Sequence, residues 1–135
     1  MNDSERLESI QGVLDELSEM SAGRILLVEG INDERALRKV GISGDYFHIQ
    51  SEGGPVKAAE YCFCASKEAV VITDWDRKGT IIMSDVCSQL SALCVRFDIS
   101  IHSRLRCLCT KYIKDVESLD SLIEKLASDT RDIKY

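Results

Sequence analysis

The feature that most constrains the fold is a continuous apolar run that ends in two aspartates and a glycine. Residues 70–79 read VVITDWDRKG. An uninterrupted apolar run is typical of a strand buried on both faces of a parallel sheet, because a strand with one exposed face alternates instead. If this strand ends near Thr73, Asp74 and Asp76 lie at its carboxyl end, where open α/β sheets bind their ligands. The run therefore predicts an α/β fold with an acidic site at one edge of its sheet.

The aspartate pair is suited to a hard divalent cation. Two acids at positions i and i+2 of an open turn can offer oxygens to one ion, and Mg²⁺ is commonly held by one or two carboxylates, with waters and substrate phosphates completing its shell. Mn²⁺ is the alternative cation, because it also prefers carboxylate oxygens. The competing interpretation of Asp74 and Asp76 is a pair of solvated turn acids. A further acid delivered to the same edge from elsewhere in the chain strengthens the cation interpretation.

Strands and helices alternate along the 135 residues, which are one domain's worth of chain. This alternation predicts a four-stranded parallel sheet of order 2-1-3-4 with helices on both faces, flanked by an additional helix at each end. The core is expected over 24–100, and the chain after Ala127 is expected to fray. The predicted strands are 24–28, 46–49, 70–73 and 95–98; the predicted helices are 3–21, 33–40, 55–67, 79–94, 103–114 and 118–127.

Another acidic turn follows the first predicted strand; in chain order it is the first acidic turn, and the turn at 74–79 is the second. Residues 29–33 read EGIND, in which Asn32 or Asp33 is the predicted helix cap. In the order 2-1-3-4 the strands that carry Glu29 and Asp74 are neighbours, about 4.8 Å apart, and a crevice opens between them. The alternatives are a strand-end ion pair for Glu29 and a helix-dipole contact for Asp33. Three carboxylates in one cleft, with no nucleophile nearby in sequence, suit metal-assisted phosphoryl transfer.

A glycine loop follows the second predicted strand at the same edge. Gly53 and Gly54 permit a positive φ or the close approach of backbone to a ligand, and Pro55 suits the first turn of a helix. An ordinary turn is the competing interpretation. Residues 103–114 are the most basic part of the chain; they are either a phosphate-contacting surface or, more simply, a solvated helix face.

Charge and cysteine spacing narrow the function classes. The net charge of −6 argues against tight non-specific binding to nucleic acid, although a divalent cation reverses the local field. Cys62 and Cys64, like Cys107 and Cys109, are two residues apart on predicted helices, so their side chains point in different directions and do not match zinc spacing. Reduced thiols in a core are the simpler interpretation. No signal peptide or membrane-length apolar run is evident, so a cytoplasmic location without membrane contact is expected.

The two acidic motifs together resemble the Toprim domain, over residues 24–100. This family is shared by topoisomerases, bacterial-type primases, the ribonuclease that matures 5S ribosomal RNA and recombination-repair proteins, and the chain is most similar to its small stand-alone members. The resemblance implies that Glu29 is a general acid/base within the metal site and that Asp74 and Asp76 bind Mg²⁺. Asp33 matches an acid that is frequent in the first motif. The glycines of the family correspond to Gly30, Gly53 and Gly79.

The resulting expectation is a Mg²⁺-dependent nuclease or nucleotidyltransferase acting on RNA or DNA. The backbone of Gly53 and Gly54 is expected to approach the phosphate, while Arg77 or Lys78 balances its charge. The rival expectation is a non-catalytic module that binds nucleic acid or nucleotide through Mg²⁺ and works with a partner protein. A phosphatase or a receiver-like acidic pocket is a further alternative, although the Glu-Gly pattern after the first strand fits a receiver domain poorly.

Overall fold

The computed structural model describes residues 1–132 as helices arranged around a single sheet. In chain order the elements are α1 (Asp3–Ser21), β1 (Ile25–Val28), α2 (Ile31–Lys39), β2 (Asp45–His48), α3 (Gly54–Ala65), β3 (Ala69–Ile72), α4 (Arg77–Ala92), β4 (Phe97–Asp98), α5 (Ser100–Cys109), a 3₁₀ turn (Val116–Ser118) and α6 (Leu119–Asp132).

The sheet has the predicted topology. Its strand order is β2-β1-β3-β4, and every pairing is parallel. All four residues of β1 and of β3 are buried, as expected for apolar runs in the middle of a parallel sheet. Val28 pairs with both His48 and Ile72, so the three strands end level with one another. Their carboxyl ends form one edge of the sheet.

Helices cover both faces of the sheet, which confirms the predicted layers. Leu26 and Val28 point into a core cluster built with α1, α2, α5 and α6. Ile25 and Leu27 point to the opposite face, where they meet α3 and α4. The side chains of a strand alternate between its two faces, so alternate residues of β1 contribute to the two core clusters on opposite faces of the sheet.

The structure corrects several boundaries. Gly30 caps α2, so the prediction of Asn32 or Asp33 as the cap is wrong. Helix α5 ends at Cys109, before the predicted residue 114, and its Arg104 pairs with Glu16. Helix α6 continues to Asp132, so the residues after Ala127 are helical as far as the structure describes them.

The cysteines divide into buried and exposed groups. Within the helical pairs, Cys62 and Cys109 are buried while Cys64 and Cys107 are exposed, as their predicted opposite orientations require. Cys94 is also exposed. The prediction that the cysteines pack in the core is therefore correct for Cys62 and Cys109 and wrong for the exposed thiols.

Helix α1 is amphipathic, as predicted. It runs for 19 residues and buries Ile10, Val13, Leu14 and Leu17 against the sheet. Between residues 1 and 132, no helix combines the length and the apolar character that a membrane crossing requires.

Candidate functional site

An acidic cleft opens at the carboxyl edge of the sheet, beside the neighbouring ends of β1 and β3. Within the described residues its charged lining consists of five carboxylates and one lysine. Like charges at this density repel one another, so a cation is the natural complement of the cleft. The lining residues are Glu29, Gly30, Ile31, Asn32, Asp33, Gln50, Ser51, Asp74, Asp76, Lys78 and Glu117.

Glu29 connects the two acidic turns. Its side chain is only 6% exposed, and its Oε2 accepts a hydrogen bond of 2.7 Å from the backbone N–H of Asp74. Its Oε1 accepts a hydrogen bond of 3.2 Å from the Gln50 side chain. Burial raises the pKa of Glu29, and the charges of Asp33 and Asp76 act in the same direction, against the hydrogen bond from Asp74. The carboxyl group is therefore fixed in place, with its pKa raised by burial.

Asp74 is held by a segment that lies far away in sequence. Its Oδ1 accepts a hydrogen bond of 2.8 Å from the backbone N–H of Val116. The next residue, Trp75, donates its backbone N–H to the carbonyl of Lys114 at 3.0 Å. Burial raises the pKa of Asp74 to about 7, with the charge of Glu29 acting in the same direction against the hydrogen bond from Val116.

Asp76 and Gly79 shape the start of α4. Asp76 is the N-cap, and its Oδ1 accepts a hydrogen bond of 2.7 Å from the backbone N–H of Gly79. The hydroxyl of Thr73 donates to the carbonyl of Gly79 at 2.8 Å, which draws the first turn of the helix against the end of β3. A Cβ on Gly79 would lie 2.1 Å from the carbonyl oxygen of Asp74. Only glycine fits at this position.

Asp33 stabilises the first acidic turn from inside. Its Oδ2 accepts a hydrogen bond of 2.9 Å from the backbone N–H of Gly30, which closes the start of α2. The side chain is 7% exposed, and burial together with the charge of Asp74 raises its pKa to about 6. Asp33 thus has a structural role while it also lines the cleft.

Comparison with known proteins identifies the family. No family model matches the chain. A UPF0292 protein of Methanosarcina barkeri is 36% identical over 126 residues, which cover 93% of this chain and 87% of that protein. The chain belongs to the UPF0292 family. UPF0292 proteins of Methanosarcina acetivorans (34% over 126 residues, 93% of this chain and 87% of that protein) and Thermococcus gammatolerans (33% over 105 residues, 76% of each chain) are further relatives.

A solved structure shares the fold of this UPF0292 chain. A protein from Aquifex aeolicus superposes with a TM-score of 0.66, covering 79% of this chain and 94% of that one. Its sequence identity is 23%, so the similarity supports the α/β architecture and carries no argument about the site.

Among the other site residues predicted from sequence, some line the cleft of the UPF0292 chain and others do not. Gly30 and Lys78 line it, whereas Gly53, Gly54 and Arg77 are outside the lining. Gly53 and Gly54 have φ values of 117° and 88°, so the loop uses the positive φ that its glycines were predicted to permit. Gln50 and Ser51, from the start of the same loop, reach the cleft instead.

Five lining residues were not predicted from the sequence: Ile31, Asn32, Gln50, Ser51 and Glu117. Asn32 lies inside the first acidic motif, and Gln50 and Ser51 directly follow the second strand, so their positions at the carboxyl edge were the available signal. Glu117 lies in the 3₁₀ turn, outside the predicted core, and no pattern in the UPF0292 sequence connects it to the strands.

The donor set of the cleft suits Mg²⁺ more than a metal that needs a complete protein cage. Within residues 1–132, no three acid, histidine or cysteine side chains are grouped so as to hold an ion together. Mg²⁺ keeps several waters and needs only one or two carboxylates. The Oδ1 atoms of Asp74 and Asp76 accept backbone hydrogen bonds, which leaves the Oδ2 of each as the candidate ligand. An open two-carboxylate site is therefore compatible with this UPF0292 structure.

Proposed function

We propose that the chain is a Mg²⁺-dependent phosphoryl-transfer domain that acts on nucleic acid phosphodiesters, as a nuclease or nucleotidyltransferase. The observation that carries the proposal is the convergence of Glu29, Asp74 and Asp76 from two neighbouring strand ends into one cleft. The resemblance of the two motifs to the Toprim domain supports the same chemistry.

The aspartates supply the cation site. In this proposal Asp74 and Asp76 hold Mg²⁺, or Mn²⁺ in its place, through the carboxylate oxygens that the backbone N–H groups leave free. The bound ion would neutralise the phosphodiester and polarise it toward attack. Lys78 is the lysine at the cleft lining and balances the remaining phosphate charge.

Glu29 is proposed to move the proton. A general acid/base works best when its pKa is close to the operating pH, and burial raises the pKa of Glu29 in that direction. Its hydrogen bonds with Asp74 and Gln50 hold the carboxyl group in one orientation. A fixed carboxyl group is ready to act without a further loss of side-chain freedom.

The test is a cleavage assay on end-labelled single-stranded, duplex and structured RNA and DNA, with Mg²⁺ or Mn²⁺. Glu29→Gln keeps an oxygen that accepts from Asp74 but cannot exchange a proton, so activity should fall by about 100-fold or more. Glu8→Gln, on the exposed surface of α1, is the matched control and should retain activity. Full activity in Glu29→Gln would contradict the acid/base role.

A second candidate function is a non-catalytic module that binds nucleic acid or nucleotide through Mg²⁺ beside a partner protein. It is favoured by the hydrogen bonds that already occupy both oxygens of Glu29, and by the net charge of −6. Metal binding without cleavage of any substrate would support this candidate over the first. For either function we propose a cytoplasmic location, because the exposed free thiols Cys64, Cys94 and Cys107 fit a reducing compartment.

A further inference from the structure

The segment 114–118 brings Glu117 to the lining of the cleft and is called the third wall below. The carbonyl of Lys114 and the backbone N–H of Val116 bond to consecutive residues of the second acidic turn, at 3.0 Å to Trp75 and 2.8 Å to Asp74. The side chain of Val116 is fully buried in the core that contains α1 and α6. This wall is therefore anchored on both sides, and Glu117 follows directly from the anchor.

Glu117 is the exposed acid of this wall. The neighbouring Asp115 uses its Oδ1 to accept from the N–H of Ser118 at 3.0 Å, which caps the 3₁₀ turn. Among the described residues Glu117 has no hydrogen-bond or ion-pair partner for its side chain, although it lines the cleft with the other acids. Its charge also contributes to the raised pKa of Asp33, so it lies within electrostatic range of that buried acid.

We propose that Glu117 is a further residue of the cation site and that the N–H of Val116 positions Asp74 for the same site. This inference rests on the proposed function. Mg²⁺ keeps waters in its shell, and carboxylates outside the first shell orient such waters by accepting their hydrogen bonds. A hydrogen bond on Oδ1 of Asp74 fixes the carboxylate and leaves its Oδ2 as the candidate ligand.

Titration calorimetry with Mg²⁺ tests the role of Glu117 without any activity assay. Loss of an outer-shell partner typically weakens a metal site by about 10-fold or more, and Glu117→Gln should do the same. The matched control is Glu124→Gln, which removes one exposed charge from α6 away from the cleft lining and should leave affinity unchanged. Glu117→Asp keeps the charge but shortens the side chain, so it should bind with intermediate affinity. Wild-type affinity in Glu117→Gln would overturn the assignment.

A proline substitution tests the positioning of Asp74. Asp115 has φ −132° and ψ 156°, which suits a residue before proline, and Val116 is the first residue of the 3₁₀ turn. Val116→Pro thus removes the N–H donor with little strain, whereas Val116→Ala keeps the donor and loses side-chain packing. Mg²⁺ affinity should fall by about 10-fold in Val116→Pro relative to Val116→Ala, since a partner of a metal ligand is lost. Equal affinity in the two variants would overturn the positioning role.

The same titrations separate failure of this inference from failure of the proposed function. Absence of Mg²⁺ binding by the wild-type protein, and by a wild-type complex with short nucleic acid, would overturn both. In another outcome, Asp74→Asn abolishes Mg²⁺ binding while Glu117→Gln and Val116→Pro leave it unchanged. That result would support the proposed site and overturn the roles of Glu117 and Val116. Binding weakened in all three variants supports the inference.

Discussion

The two acidic turns are built from the same ingredients in different arrangements. Each follows a buried four-residue strand, and each combines acids with a glycine at the start of a helix. In the first turn Gly30 is the cap, and Asp33 reaches back to its N–H. In the second turn Asp76 is the cap and accepts from Gly79, further along the helix. The direction of the capping hydrogen bond is thus reversed between them.

Because of this difference, the two turns are constrained by different residue types: the first by its acids and the second by its glycine. A Cβ on Gly30 would meet nothing within 4 Å, whereas a Cβ on Gly79 would clash with the backbone of Asp74. Conversely, the acids of the first turn, Glu29 and Asp33, are buried, while Asp76 in the second is exposed. The first turn is constrained by its buried carboxyl groups, and the second by a glycine that lets the chain pack closely.

The largest effect is expected from adding one methyl group to each glycine. Gly79→Ala must displace the backbone of Asp74, so the free energy of unfolding should fall by about 3 kcal/mol or more. Gly30→Ala changes only the capping residue and should cost no more than about 1 kcal/mol. Urea denaturation of both variants gives the comparison. Similar losses in the two variants would show that the close approach at Gly79 is not the constraint.

The second effect concerns the buried charges. Asp33→Asn and Asp74→Asn keep an oxygen for their backbone N–H donors but remove a charge whose pKa is raised, to about 6 and about 7 respectively. Without metal, each variant should therefore be more stable than the wild type at about pH 8, by about 1 kcal/mol. Asp76→Asn, at the exposed position, is the control and should change stability little. A loss of stability in Asp74→Asn would contradict the electrostatic account.

The same charges predict how stability depends on pH. Because the pKa of Asp74 is higher in the folded state than in the unfolded chain, where it is about 3.9, the folded state binds the proton more tightly. The contribution of Asp74 to the stability of the metal-free protein should therefore decline as pH rises from about 4 to about 7, and Mg²⁺ should offset the decline. Unfolding curves with and without EDTA test this, and Asp74→Asn should show a smaller decline.

The smallest effect on stability is expected at Asp76, the N-cap of α4. Asp76→Ala removes the acceptor for the N–H of Gly79 and should cost about 0.5 to 1 kcal/mol. Asp76→Asn retains the acceptor, so thermal unfolding should distinguish the two variants. Equal stability would mean that the start of α4 is held mainly by Thr73, whose hydroxyl donates to the carbonyl of Gly79.

The strand topology and the meeting of the acids could be predicted because both follow from local patterns. Continuous apolar runs identified β1 and β3, and their parallel pairing brings Glu29 and Asp74 to one edge. Positive φ at Gly53 was predictable from its residue type. These features depend on the pattern of apolar residues and on residue type, both of which can be read from a short stretch of sequence.

The roles of individual atoms could not be predicted in the same way. The bond from Val116 to Asp74 joins residues 42 apart, and no local pattern records such a contact. Gly79 looked like a turn glycine, yet its importance comes from the carbonyl of Asp74 beside it. Asp33 was predicted as a possible cap or helix-dipole acid, and its carboxylate instead accepts from the N–H of Gly30 at the helix start. The contact of Val116 depends on packing between separate elements, and those of Gly79 and Asp33 depend on the backbone geometry of a turn.

The bond between Val116 and Asp74 also has a consequence for the order of events during synthesis. A ribosome makes the chain from the amino end, so all four strands emerge before the residues of the third wall do. Until Lys114 and Val116 have emerged, the second acidic turn lacks its partners at Trp75 and Asp74. A nascent chain can therefore form its sheet while the cleft is still open on one side, and the site is completed only after residues 114–118 have emerged.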